Sequence, residues 1–291
     1  MNAIETHSLT KYYGSTRGIE DLTLSVEEGD FFGFIGPNGA GKSTTIRALL
    51  GLIRPTSGNA LVLGMDAQAN RSELLRQVGY LSSEASFYRG MRVEELLRFS
   101  AGLRGLDCSA EAARLAARLE LDTRRRVDQL SLGNRKKVGI VCALQHKPRL
   151  LILDEPTSGL DPLIQREFFD LLGERQREGA TVFLSSHILS EIGRYCKRAA
   201  VIRDGRLLAS DLVERLGDAN VKQITLKGVT EIPVIEGARR ITREGDRLCF
   251  SYNGDPKALL ASLSALSFSD ITITDPAPED ILLHYYEQEG D

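Results

Sequence analysis

The chain has 291 residues, of which 42% are hydrophobic and 26% charged, with a formal net charge of −3. That is the composition of a globular protein with an adequate core, and its mild acidity argues against a chain held to nucleic acid by phosphate contacts. The N-terminal MNAIETHSLTKYY carries no charged-then-apolar leader, and no stretch reaches the roughly 20 apolar residues of a membrane span.

In chain order, residues 22–26 alternate apolar and polar side chains, as a half-exposed strand does. Residues 31–35 are a continuous apolar run that ends in a Gly-rich loop, and a helical stretch follows over 42–50. Residues 78–81, 150–153, 182–184 and 199–202 are four more short apolar runs, suited to a buried, largely parallel sheet. Between about 93 and 144 the periodicity is helical, in segments 93–103, 111–119 and 135–144 with no convincing strand between them. This predicts a helical insertion over about 84–146 of an α/β core. Arg124-Arg125-Arg126, flanked by Asp122 and Asp128, reads as a solvated helix face. Cys142 lies in an apolar run and reads as a small core residue. With Cys108, Cys196 and Cys249 scattered, neither disulfides nor zinc are expected. Residues 217–220 form a linker, after which strands at 221–226, 247–252 and 271–274 and helices at 257–266 and 279–286 predict a small α+β domain. The division expected is therefore 1–217 and 218–291.

Gly36-Pro37-Asn38-Gly39-Ala40-Gly41-Lys42-Ser43, followed by Thr44, fits G-x-x-x-x-G-K-[ST] between an apolar strand and a helix. Glycines let the backbone wrap a triphosphate, and successive N–H groups with the helix N-terminus face the anion. Lys42 is expected to reach the β- and γ-phosphates and Ser43 to ligate Mg²⁺. Residues 150–153 deliver Asp154 and Glu155 to the C-terminal end of a strand, beside the phosphate site. Asp154 is expected to hold Mg²⁺ through water, and Glu155 to orient and deprotonate an attacking water. The plainer alternative is that the two carboxylates cap the next helix.

The remaining residues resemble one family closely. Leu130-Ser131-Leu132-Gly133-Asn134 is similar to the signature sequence of ATP-binding cassette (ABC) proteins, and Asp154-Glu155-Pro156-Thr157-Ser158-Gly159-Leu160-Asp161 to their Walker B and D-loop run. Ser185-Ser186-His187 resembles the segment bearing their switch histidine. The resemblance covers residues 4–210 in the family's order. It implies a P-loop ABC cassette: a mostly parallel sheet core, an N-terminal antiparallel β part and a helical insertion. It also implies that two copies sandwich two ATP molecules, each held by the P-loop of one copy and by Ser131 and Gly133 of the other. Asp161 belongs to the same implied nucleotide site. Ser131 and Gly133 precede a helical run and would turn its N-terminus to the γ-phosphate. His187 would contact that phosphate, and Tyr13 would stack on adenine, with Tyr12 as the alternative.

Leu132 and Asn134 depart from the common signature. Ser83 stands where the family places a glutamine near Mg²⁺ and the water; Ser83 or its neighbour Glu84 substitutes through water, or the contact is lost. In the family this segment leads into a groove for a helix of the membrane subunit, which Phe87, Tyr88 and Met91 would line unless they pack in the insertion's own core. By resemblance the chain is an ATPase, paired with itself or a relative and powering a separately encoded permease for export. It would lie on the cytoplasmic face of the cell membrane, held there by the permease, without nucleic acid. The alternative is a soluble ABC ATPase acting on ribosomes or DNA.

Overall fold

The computed structural model describes residues 1–84, 86–88, 90–216, 221–229, 235–264 and 266–274. They form two compact units, Met1–Asp211 and Leu212–Asp291.

The first unit opens with β1 (Asn2–Tyr13) and β2 (Thr16–Glu27), an antiparallel hairpin across a Gly14-Ser15 turn in which Gly14 takes φ +62°. β3 (Phe31–Ile35) is buried at every residue and leads through the glycine loop into α1 (Lys42–Leu49). β4 (Ser57–Val62), β5 (Met65–Asp66), α2 (Arg71–Gln77) and β6 (Val78–Leu81) follow. The insertion is α3 (Val93–Gly102), α4 (Ser109–Arg118), a 3₁₀ turn over Val127–Gln129 and α5 (Leu132–Leu144). The chain then returns to the core with β7 (Leu150–Asp154), α6 (Pro162–Arg177), β8 (Thr181–Ser186), α7 (Leu189–Tyr195), β9 (Arg198–Arg203) and β10 (Arg206–Leu212).

Two sheets result. One is antiparallel, in the order β2-β1-β4-β5, which accounts for residues 22–26 as the C-terminal part of a longer strand. The other runs β10-β9-β3-β8-β7-β6, with parallel pairing across β9-β3-β8-β7-β6. A single apolar core joins them through α1: Ile46 and Leu49 share a cluster with Leu9, Ile19 and Leu22 of the first sheet and Phe34, Ile152 and Phe183 of the second. Phe183 lies between Phe32 and Phe34, with ring centroids 6.0 and 5.3 Å away. Burial of this kind is the main stabilising term in folding, and here it fixes where the N-terminus of α1 points.

Arg124-Arg125-Arg126 lies in an exposed turn before the 3₁₀ segment, not on a helix face. α5 starts three residues earlier than the periodicity indicates, so Gly133 sits inside its first turn.

The second unit holds α8 (Val213–Leu216), β11 (Val221–Lys227), β12 (Ala238–Glu244), β13 (Arg247–Asn253), α9 (Pro256–Ser264) and β14 (Asp270–Thr274). Its sheet is antiparallel in the order β12-β13-β11-β14, over a core of Ile224, Leu226, Phe250, Leu259 and Leu263. The expected linker at 217–220 and closing helix at 279–286 lie outside the described residues.

Candidate functional site

The glycine loop closes against its neighbours at distances only glycine permits. A Cβ on Gly36 would stand 2.4 Å from the Ile202 carbonyl oxygen, and Gly41 takes φ +104° with the Gly18 carbonyl oxygen 2.6 Å from where its Cβ would be. The loop therefore presents backbone to its concave side, a 370 Å³ cavity whose walls include Tyr13, Asn38, Gly39, Ser43, Thr44 and Glu155. Gly41 and Lys42 also line it, whereas Gly36, Pro37 and Ala40 do not. Lys42, 5% exposed, donates to the carbonyl oxygens of Gly36 (2.7 Å) and Pro37 (3.0 Å) and lies 3.2 Å from Oε1 of Glu155.

β7 delivers Asp154 and Glu155 to the same place. Asp154 is buried at 2% exposure, a cost its hydrogen bonds offset. Ser43 Oγ donates to its Oδ2 and Ser185 Oγ to its Oδ1, both at 2.7 Å. Glu155 takes φ +45°, a left-handed conformation that costs a non-glycine residue about 1–3 kcal/mol and that only surrounding contacts can hold. Its N–H points to the carbonyl and hydroxyl oxygens of Ser185. His187 Nδ1 lies 3.3 Å from the same Oε1 that faces Lys42. The carboxylate is thus bracketed by the loop lysine and the histidine at the end of β8.

Ser43, Asp154 and Ser83 are the expected Mg²⁺ residues. A hydroxyl beside a single carboxylate is a hard-oxygen donor pair of the kind Mg²⁺ uses when phosphate oxygens and waters complete its shell. The described residues contain no group of three His, Cys, Asp or Glu placed to hold a metal, and Ser43 with Asp154 fits an Mg²⁺ that a nucleotide helps to hold. Ser83 lines the cavity as well.

Tyr13, and not Tyr12, faces the cavity. The Lys11 ammonium lies 5.2 Å from the Tyr13 ring centroid, and Tyr12 is hydrogen-bonded to Glu20. Sequence reasoning missed Arg17 and Gly18, which line the cavity, and Ser185, which holds Asp154. The signal for Ser185 was present: it lies near the end of the strand adjacent to β7, paired with Asp154, where a hydroxyl reaches the neighbouring carboxylate.

Ser131, Gly133 and Asp161 are not brought to this cavity. They line a separate pocket with Leu132, Asn134, Gly159 and Leu160. Ser131 Oγ accepts from the Asn134 N–H and caps α5, and Asp161 likewise caps α6 by accepting from the Ile164 N–H. Gly133 packs so closely that its Cβ would lie 2.8 Å from the Gly159 carbonyl oxygen. Leu132 is exposed beside it.

Of the expected groove residues, Phe87 packs toward Gly139 of α5, while Tyr88 is 67% exposed and edge-on to the exposed Phe99 at 5.9 Å. No helix among the described residues is long and apolar enough to cross a membrane.

The ABC transporter family model matches residues 19–158. The chain is 40% identical over 225 residues to the bacitracin transport ATP-binding protein BcrA of Bacillus licheniformis, covering 76% of this chain and 73% of that protein. It is 38% identical over 212 residues to the probable multidrug ABC transporter ATP-binding protein YbhF of Escherichia coli (strain K12). That match takes in 71% of this chain but 36% of the longer YbhF. Among solved structures, an ATP-binding subunit of an ABC transporter superposes with a TM-score of 0.69 at 33% identity, over 74% of this chain and 91% of that one. The chain belongs to the ABC transporter ATP-binding proteins, the family of ATP-hydrolysing transporter subunits.

Proposed function

We propose that the chain hydrolyses MgATP in a pair of ATPase domains and drives a separately encoded membrane permease in the direction of export. The observation that carries this reading is that the site comes in two separate halves. The cavity of the glycine loop and the pocket of Ser131, Gly133 and Asp161 share no residue, so one chain offers a nucleotide cradle and, apart from it, the end of a capped helix. Two copies, or this chain and a relative, complete each site by opposing the two halves. The partner's helix N-terminus then supplies dipole and N–H groups to the γ-phosphate.

Within each site Tyr13 stacks on the base, the loop N–H groups and Lys42 hold the phosphates, and Ser43 and Asp154 would hold Mg²⁺, which would supply charge neutralisation to the phosphates. Glu155 accepts a proton from the attacking water, and His187 fixes that water and the γ-phosphate in line. Phosphoryl transfer asks little more of a protein than this positioning and charge stabilisation. Lys42 leaves Oε1 of Glu155 when a phosphate competes for its ammonium, which frees the carboxylate to act as a base.

The permease is assigned to the surface around the exposed pair Tyr88 and Phe99, since aromatics are favoured at such contacts. Held there, the chain would lie on the cytoplasmic face of the membrane. The transport names of BcrA and YbhF support a role in transport, and residues 218–291 are assigned an accessory role. The test is an affinity pull-down of tagged Glu155→Gln protein with MgATP from detergent-solubilised native membranes. A multi-span protein recovered in near-equal amount supports the reading. Ribosomes or DNA in its place would move the chain to the soluble ABC ATPases.

A further inference from the structure

We propose that Lys136 is a positioning residue for hydrolysis, whose buried ammonium ties the segment after β6 to the backbone of Glu155. The inference rests on the reading of Glu155 as the base.

Lys136 lies on α5, five residues beyond Ser131, and is 2% exposed. An ammonium has three N–H donors and no acceptor. Here the three donors meet three backbone carbonyl oxygens: Ser82 at 3.1 Å, Ser83 at 3.0 Å and Glu155 at 3.1 Å. Those carbonyls come from two segments far apart in sequence, each carrying an expected site residue. Burying a charge is costly unless it is paired or fully hydrogen-bonded, so a lysine placed only to fill space would be a poor choice here.

The contact with Glu155 gives the lysine its consequence for chemistry. Glu155 adopts φ +45°, and its peptide is held from both sides: Ser185 receives its N–H, and Lys136 donates to its C=O. Without the second hold, the strained residue can relax toward an ordinary conformation, and its carboxylate turns away from Lys42 and His187. Lys136 also makes Glu155 sensitive to its surroundings. A shift of residues 82–84, or of the helix that Ser131 caps, moves the ammonium and with it the base. The link runs through three hydrogen bonds, not through packing alone.

The test compares the full chain with Lys136→Met and Lys136→Gln, each alone and combined with Glu155→Gln, measuring MgATP affinity, steady-state ATPase activity and single-turnover hydrolysis. Lys136→Met should keep MgATP affinity within about twofold and lose about tenfold or more in kcat, the scale expected of a misplaced group. Lys136→Gln keeps N–H donors and should recover part of that loss. In the Glu155→Gln background neither substitution should slow residual hydrolysis further, because there is no carboxylate base left to position. If Lys136→Met does not fold, Lys136→Gln in the two backgrounds decides the matter by the same non-additivity. A wild-type kcat in the Lys136 variants, or an equal loss with and without the Glu155 carboxylate, overturns the inference. Should Glu155→Gln alone hydrolyse like wild type, the base assignment fails first, and that outcome is read from the single variant.

Discussion

Ser43 Oγ and Asp154 Oδ2 stand 2.7 Å apart, although 111 residues of chain separate them. The contact joins the start of α1 to the end of β7, and the other oxygen of the same carboxylate is taken by Ser185. Replacing Ser185 by alanine leaves a buried carboxylate oxygen without its donor. Ser185→Ala should therefore lower unfolding stability by about 1–3 kcal/mol in a urea titration. It should also weaken Mg²⁺-dependent ATP binding. An unchanged urea midpoint with wild-type Mg²⁺ dependence would remove Ser185 from the site.

Gly133 permits a second test, of the pocket that the glycine loop does not share. A methyl group there meets the Gly159 carbonyl oxygen at 2.8 Å, and something must shift. Gly133→Ala should leave MgATP binding at the glycine loop unchanged in equilibrium titration. Its hydrolysis should fall about tenfold or more, since displacement of a facing group by a fraction of an ångström to 1 Å has effects of that order. Equal loss of binding and turnover would place Gly133 in general folding.

α4 and α6 are joined by ion pairs: Arg118 meets Glu167 and Glu174, Arg114 meets Glu174, and Arg175 meets Glu111. These pairs lie mostly near the surface, where each contributes little alone and a network contributes more. A double-mutant cycle of Arg118→Ala with Glu174→Ala should give a coupling of about 0.5–1 kcal/mol at low salt, weakening at high salt. Strict additivity would show the network to be without effect on stability.

His146 gives a pH signature. Burial, assisted by the nearby Arg104 charge, pulls its pKa from 6.5 to about 4, and one ring nitrogen lies 3.3 Å from the Val78 carbonyl oxygen. The folded chain keeps the ring neutral at a pH where the unfolded chain protonates it. Its contribution to stability is thus complete above about pH 6.5 and is lost as pH falls from there toward 4. His146→Gln, which keeps a donor for Val78, should flatten the pH dependence of the urea midpoint in that window. Parallel profiles for the two proteins would contradict the assignment.

The parts of the site legible in the sequence were those whose chemistry depends on residue type at fixed spacing. Glycine positions set by close backbone approach, the lysine and serine that follow them, and two carboxylates after an apolar run are brought together by the fold. Parts that depend on backbone atoms did not show. Nothing in the sequence reveals that Lys136 meets three carbonyls, because every residue carries one. The strands tell the same story. β1 escaped because register shifts around residues 6–11, with Ser8 at φ +44°, break its period of two. β12 escaped because it is a largely exposed edge strand with little apolar patterning to read. Tyr13 and Tyr12 could be told apart only by the cavity, since adjacent strand residues face opposite ways and the sequence does not say which way.

Hydrolysis at this site turns on Glu155, and its removal is the most direct test. Phosphate release and gel filtration should be measured for wild type and Glu155→Gln with MgATP. The variant should bind MgATP, hydrolyse it about 10²–10⁴ times more slowly and elute as a dimer. Hydrolysis at the wild-type rate by Glu155→Gln would show that Glu155 is not the base.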